Sequence, residues 1–270
     1  MSEKEKVNIV FVVLTYGNTK DIIDLIESLK NINATYRVVV VNSFYNDETL
    51  VELNKIAVEN NCDFIPVENK GYSFGNNRGI EYANDKYEYD FLVVSNPDII
   101  VKKLDYKNLV CFENSAVGPK IITSTGKNQN PFYVDRKIFP RLEYFFLKKR
   151  MKIGYYSIIA INKIKKILFY AGMFISKQKE KRVFALHGSF IILSKGAVDR
   201  LGKVFDEHVF LFCEEMILAE EMKAKNISAY YTENIEVYHK EDGSMKFLDG
   251  SMYEEEVKSN GYVYNKYYKM

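Results

Sequence analysis

The chain has 270 residues, enough for one large α/β domain or two small ones. Hydrophobic residues make up 47% of it, which excludes disorder as the default, and a formal net charge of +2 argues against wholesale nucleic-acid binding. The charge is unevenly spread: residues 131–182 hold 14 Lys/Arg against 3 Asp/Glu, a net +11 that leaves the remainder at −9.

Residues 7–14 (VNIVFVVL) form a continuous apolar run rich in β-branched side chains, which predicts a strand covered on both faces. In residues 21–29, Ile22, Leu25, Ile26 and Leu29 recur at helical spacing. Residues 36–42 (YRVVVVN) predict a second buried strand, and residues 47–60 a second helix with Asp47 placed to cap it. A short third strand follows at 62–67, a third helix at 75–85 and a fourth strand at 90–96 (DFLVVSN). This alternation predicts a parallel sheet with helices on both faces, and ligands in such sheets bind beyond the carboxyl ends of the strands. Thr15 and Tyr16, Asn42, the loop at 69–77, and Asn96 to Asp98 all fall at those ends. The second half is less regular: strand patterns at 115–122, 184–194 and 227–239, a basic helical segment at 141–170, and a helix at 213–226. No internal repeat or low-complexity linker interrupts the chain, which favours a single domain.

Cys62, Cys111 and Cys213 are far apart and form no CxxC, so neither a disulfide framework nor a zinc site is indicated and a reducing cytoplasm is expected. The charged start MSEKEK leads straight into a strand, unlike a signal peptide. The most apolar stretch, residues 155–175, is broken by lysines and is not an ordinary membrane span.

Several motifs carry chemistry, each beside a plainer alternative. The fourth strand runs into Asn96-Pro97-Asp98. A carboxylate at a strand end can hold a divalent cation against a diphosphate leaving group; equally, Asn-Pro-Asp makes a good turn. In residues 69–79 (NKGYSFGNNRG), Gly71, Gly75 and Gly79 allow close backbone approach, and the helix opening at Asn76 and Asn77 offers amides to a phosphate; the alternative is a glycine-rich turn. Glu214 and Glu215 pair at a helix start, where an anionic general base is favoured and where acids are also common for stability alone. His239 is a metal ligand or a strand-end histidine. The basic segment is a solvated face or a surface for an anionic membrane.

Taken in order, the stretches VVLTYG, VVVVNSFYND, NKGYSFGNNRGI, FLVVSNPDI, HGSFIILSKGAVDRLGKVFDEHVFLFCEEMIL and VYHKEDGS resemble the family 2 glycosyltransferases, particularly the bacterial rhamnosyltransferase-like branch. The resemblance spans residues 7–244 and leaves about 123–185 unmatched. It implies the glycosyltransferase A fold: an α/β domain with a mostly parallel, Rossmann-like sheet flanked by helices, plus a basic helical insertion. It divides the chain into a nucleotide-sugar-binding half (1–122), a variable basic insertion (123–185), and an acceptor and catalytic half with the C-terminal tail (186–270).

The implied activity is inverting transfer from a nucleotide-sugar donor to a glycan or lipid-linked acceptor, as in bacterial surface polysaccharide synthesis. By the same resemblance Asp98 and His239 hold Mn2+ or Mg2+, with Asn96 in the first position of an aspartate-x-aspartate motif. Glu215 stands where the family has its catalytic Asp, with Glu214 as partner, while Thr15 and Tyr16 pack around the nucleoside. The residues YNKYYKM resemble the family's closing segment. Two departures stand out: Asn42 replaces the Asp that accepts the base's imide proton, and Glu215 is one methylene longer than Asp. They leave room for a nucleotide-sugar-binding protein without transferase activity. A sugar-1-phosphate nucleotidyltransferase is a further alternative, although TYGNTKD after the first strand has one Gly and one Lys where such an enzyme wants a glycine-rich basic loop. The expected location is cytoplasmic, with a peripheral contact at the inner face of the plasma membrane.

Overall fold

The four strand patterns of the first half become adjacent parallel strands, of which the first, the second and the end of the fourth are covered from both sides and the third forms the edge. In the computed structural model, which describes residues 3–241 and 252–269, these are β1 (Glu5–Thr15), β2 (Tyr36–Ser43), β3 (Asp63–Val67) and β4 (Tyr87–Ser95), in spatial order β3-β2-β1-β4. Ile9, Phe11 and Val13 of β1 pack with α1 (Asp21–Leu29) and α2 (Asp47–Glu59) through Ile22, Leu25 and Leu53. Val10 and Val12 face the other way, toward Ile80 and Ala83 of α3 (Tyr72–Lys86).

Two local expectations shift. The cap of α2 is Asn46, not Asp47: its side chain accepts the Thr49 N–H at 2.9 Å, and Asp47 becomes the first helical residue, where its charge still favours the dipole. Helix α3 starts at Tyr72 instead of Gly75, because Gly71 takes φ +99 and turns the chain directly into the helix.

The second half contributes β5 (Ile99–Lys103), β6 (Ser115–Thr123), α4 (Pro140–Lys148), α5 (Lys152–Ser176), β7 (Glu180–Val183), β8 (Phe190–Ser194), α6 (Lys195–Leu201), α7 (Glu214–Ala224), β9 (Ser228–His239) and α8 (Met252–Val263), followed by a π-helical turn over Tyr264–Tyr268. All nine strands join one sheet in the order β3-β2-β1-β4-β8-β6-β9-β5, with β7 also paired to β9. The sheet is mixed. Parallel pairing holds for the first four strands and for β6 with β9, whereas β8 runs against both β4 and β6, and β5 and β7 run against β9. The reversal has a simple cause: the chain returns to the sheet at the carboxyl end of β4, so that Phe190 pairs with Ser95 and β8 descends from there. The basic segment is two helices, α4 and α5, broken at Arg150 with φ +53.

Several elements that end or begin at the carboxyl side of β1 and β4 deliver a candidate residue there. Strand β5 leaves this end just after Asp98, β9 arrives at it with His239, and α7 starts near it with Glu214 and Glu215.

Candidate active site

A cavity of about 670 Å3 opens at this end of the sheet. Tyr16, Ser43, Gly71, Asn96 and Asp98 line it from the first half, and Lys137, Glu143, Glu214, Glu215 and His239 from the second. A larger, more open cavity of about 920 Å3 lies at the opposite end, by Lys6, Glu88 and Lys195, and holds none of the sequence-predicted residues.

Asp98 and His239 meet because their neighbours are register partners: Ile99 of β5 pairs with His239 of β9. His239 Nε2 lies 3.3 Å from Asp98 Oδ1, and the Lys240 N–H donates to the Asp98 carbonyl at 3.0 Å. Asp98 is 1% exposed, yet neither carboxylate oxygen has a hydrogen-bond partner. The other imidazole nitrogen, Nδ1, is 2.7 Å from Gln129 Oε1, while Gln129 Nε2 donates to Glu241. Glu241 thus fixes the amide so that its oxygen accepts from the Nδ1–H, which leaves Nε2 turned to the carboxylate. A buried carboxylate with no hydrogen-bond donor, beside an imidazole nitrogen, is a pair of groups that suits a divalent cation. No group of three or more His, Cys, Asp or Glu able to hold a metal occurs among the described residues, and Asp98 with His239 is a pair.

Glu214 and Glu215 begin α7 after two consecutive non-glycine residues in the left-handed region, Phe212 (φ +71) and Cys213 (φ +68). Conformations of that kind cost roughly 1–3 kcal/mol each and gather at functional sites. Ties on several sides hold the loop before them. Tyr72 N–H donates to the Phe210 carbonyl, Ser259 Oγ to the Leu211 carbonyl, and Tyr262 Oη to Asp206. Glu215 accepts from the Gly188 N–H at 3.2 Å and keeps part of its surface open to the cavity. Burial raises its pKa, against the pull of nearby backbone N–H groups and of Lys137.

Glu214 is more deeply buried, and its Oε1 has no partner. Burial first, and the charge of Glu215 second, push its carboxyl from an ordinary 4.5 up to about 8. Over that window the folded protein holds a proton that the unfolded chain releases, so stability falls as pH rises. Urea unfolding at about pH 5 and about pH 8 is therefore expected to show a higher midpoint at the lower pH, and Glu214→Gln to remove most of the difference. An unchanged slope in the variant would assign the pH dependence elsewhere.

Other predicted residues are placed differently. Thr15 is fully buried and its hydroxyl donates to the Val41 carbonyl at 3.1 Å. Asn42, its register partner, is also fully buried with both amide atoms unpartnered, so neither is accessible to a ligand in this structure. Asn76 and Asn77 lie in the second turn of α3, not at its opening, so their amides are not free helix ends. Asn76 Nδ2 donates to the Tyr72 carbonyl at 3.0 Å. Asn77 is committed to the loop before α7: Nδ2 donates to the Phe205 carbonyl and to Glu207, and Oδ1 accepts the Phe205 N–H at 3.0 Å. At Gly75 a Cβ would collide with Leu14, and at Gly79 with Val12 and Val41, so these glycines let α3 press onto the sheet.

Some cavity residues carry no sequence signal of their own. Gln129 and the Lys137–Glu143 ion pair, 2.8 Å apart and almost wholly buried, come from the segment that has no motif. Burial and hydrogen bonding to His187 and Ser189 shape the turn that holds Glu215: the Ser189 N–H donates to His187 Nδ1, and Tyr72 Oη donates to the Gly188 carbonyl. The HGS tripeptide is the one signal that could have pointed to this turn.

The family model of glycosyl transferase family 2 matches residues 10–175, and the chain belongs to this family. The match takes in most of the segment that the motif comparison leaves out, and it ends before Glu214, Glu215 and His239. The low-salt glycan biosynthesis hexosyltransferase Agl10 of Haloferax volcanii is 23% identical over 175 residues, which cover 63% of this chain and 49% of that protein. The chain therefore spans about half the length of this curated relative. Among solved structures, GalNAc-T7 with UDP, GalNAc and Mn2+ superposes with a TM-score of 0.62 at 13% identity, over 96% of this chain and 48% of that one. S. aureus TarS superposes with a TM-score of 0.52 at 15% identity, over 86% of this chain and 36% of that one. The fold they share with this chain is the glycosyltransferase A fold.

Proposed function

We propose that the protein is an inverting glycosyltransferase. It would move a hexosyl or rhamnosyl group from a nucleotide-sugar donor to a hydroxyl of a glycan or lipid-linked acceptor, in surface polysaccharide synthesis of the rhamnosyltransferase-like branch. The observation that carries this reading is the pairing, in one cavity, of the donor-free Asp98 carboxylate beside His239 with the Glu214–Glu215 carboxylates. Glu215 accepts the proton of the attacking hydroxyl, whose oxygen bonds to the anomeric carbon as the bond to the diphosphate oxygen breaks. The Gly188 N–H holds the Glu215 carboxylate for this, while burial and the Glu215 charge favour the protonated form of Glu214 and so reduce the charge beside it. Mn2+ or Mg2+ held by Asp98 and His239 would neutralise the departing diphosphate. Tyr16, edge-on to Tyr45 with ring centroids 5.2 Å apart, and Ser43 border the donor side of the cavity, with Gly71 and Asn96 further along it. Lys137, Glu143 and Tyr155 would meet the acceptor.

Thermal unfolding with a panel of nucleoside diphosphates, each with and without Mn2+, tests the donor side. A ligand at a hundredfold excess over its Kd stabilises by roughly 2.7 kcal/mol, and the matching base should do so only when Mn2+ is present. No stabilisation by any member would count against the reading. Stabilisation without release of nucleoside diphosphate from any donor would favour a binding protein that has lost transfer.

A further inference from the structure

Helix α5 is inside out. Ile153, Ile164, Ile167, Leu168, Phe174 and Ile175 are 56% to 87% exposed and recur along one side of its 25 residues. Its lysines partly point the other way: Lys165 pairs with Asp135 at 3.1 Å, and Lys166 donates to the Gln129 carbonyl at 2.9 Å. At about 1.5 Å per residue the stripe is on the order of 35 Å long. Helix α4 adds Leu142 and Phe145 to the exposed apolar surface, preceded by Ile138 and Phe139. An apolar surface of this extent does not stay in water without a purpose.

Charge decides what covers it. From residue 136 to 179 the only acid is Glu143, and it is buried against Lys137. Exposed cations border the stripe at its start (Lys148, Lys149, Arg150, Lys152), in its middle (Lys163) and at its end (Lys177). A second copy of this chain would bring the same cations into opposition. No helix among the described residues is long and apolar enough to cross a membrane. The remaining solution is a helix lying in the interface plane, with its aliphatic side chains among acyl chains and its lysines at anionic headgroups. We infer that the α4–α5 surface docks the protein on an anionic bilayer. Tyr133, Lys137, Glu143 and Tyr155, from the same segment, line the cavity, so docking would set the cavity mouth beside the membrane surface.

Flotation with phosphatidylcholine vesicles containing about 30 mol % phosphatidylglycerol, at low and high salt, tests this. The full chain should float with the anionic vesicles at low salt, weakly with phosphatidylcholine alone, and progressively less as salt rises. Lys149→Ala, Lys152→Ala and Lys163→Ala together should weaken partitioning about a hundredfold, at about fivefold per cation. Ile164→Glu with Ile167→Glu and Phe174→Glu should abolish it while far-UV circular dichroism stays unchanged, since these side chains are already exposed. Failure to float at low salt overturns the inference. So does a dimer in solution that the glutamate variant splits, because the surface would then be a contact between copies. The readout is independent of catalysis, so it stands or falls apart from the proposed reaction.

Discussion

Glu215→Gln is expected to turn over about 10²–10⁴-fold more slowly than the parent, with donor affinity nearly unchanged. The amide keeps the shape of the side chain and its acceptor oxygen for the Gly188 N–H, so the local structure has no reason to move. What it loses is the capacity to take a proton. Glu215→Asp keeps the carboxylate but withdraws it from the Gly188 contact, and should retain measurable transfer. Glu214→Gln should hurt less, because burial and the Glu215 charge already favour the neutral form of that carboxyl. Transfer rate and donor Kd, measured on all three variants, separate these outcomes. Parent-like turnover of Glu215→Gln would remove the base assignment. A dead Glu214→Gln beside an active Glu215→Gln would exchange the two roles and leave the rest of the site as described.

Asp98→Asn should abolish the Mn2+ dependence of nucleoside diphosphate binding and weaken that binding by on the order of 10²-fold or more. In the absence of metal the same variant should be no less stable than the parent, and by about 1 kcal/mol more stable. The buried carboxylate has no donors to lose, and a neutral amide is cheaper to bury. The opposite signs of the two effects make the test discriminating. A turn-forming Asp98 would give a variant that is less stable and binds nucleotide as before. Calorimetry with and without Mn2+, together with a metal-free thermal unfolding curve, reads both.

The first half of the fold is legible because β1, β2 and the end of β4 are buried on both faces and so appear as unbroken apolar runs, with Ile22, Leu25, Ile26 and Leu29 of α1 at full helical spacing between them. Strands β5 and β7 are not legible: they have five and four residues, lie at sheet edges, and alternate too briefly to show a period. The site divides in the same way. That Asp98 and Asn96 end a strand is visible from the sequence. That Asp98 sits against His239 depends on the antiparallel register of β5 and β9, and that Gln129 orients the imidazole depends on a loop with no motif. The asparagines of α3 illustrate the converse. Asn76 and Asn77 follow a glycine as ligand-binding residues would, yet the helix begins earlier and Asn77 is used to anchor the chain before α7.

Strands from the two halves of the chain are interleaved in the sheet. β8 lies between β4 and β6, and β9 between β6 and β5, so each of these C-terminal strands is flanked on both sides by strands from the first 123 residues. A cut anywhere between them leaves both fragments with unpaired edges. For the history of such a protein, this means that its C-terminal half is poorly suited to being traded between relatives as a cassette. Between β6 and β7 the chain makes an excursion that leaves the sheet after Thr123 and rejoins it at Glu180. That excursion supplies Lys137, Glu143 and Tyr155 to the cavity wall and all of the outward apolar stripe. If the proposed acceptor contacts and the inferred bilayer docking both hold, a lineage that remodelled this excursion to change its acceptor would alter its attachment to surfaces in the same step, so the two traits would be inherited as one.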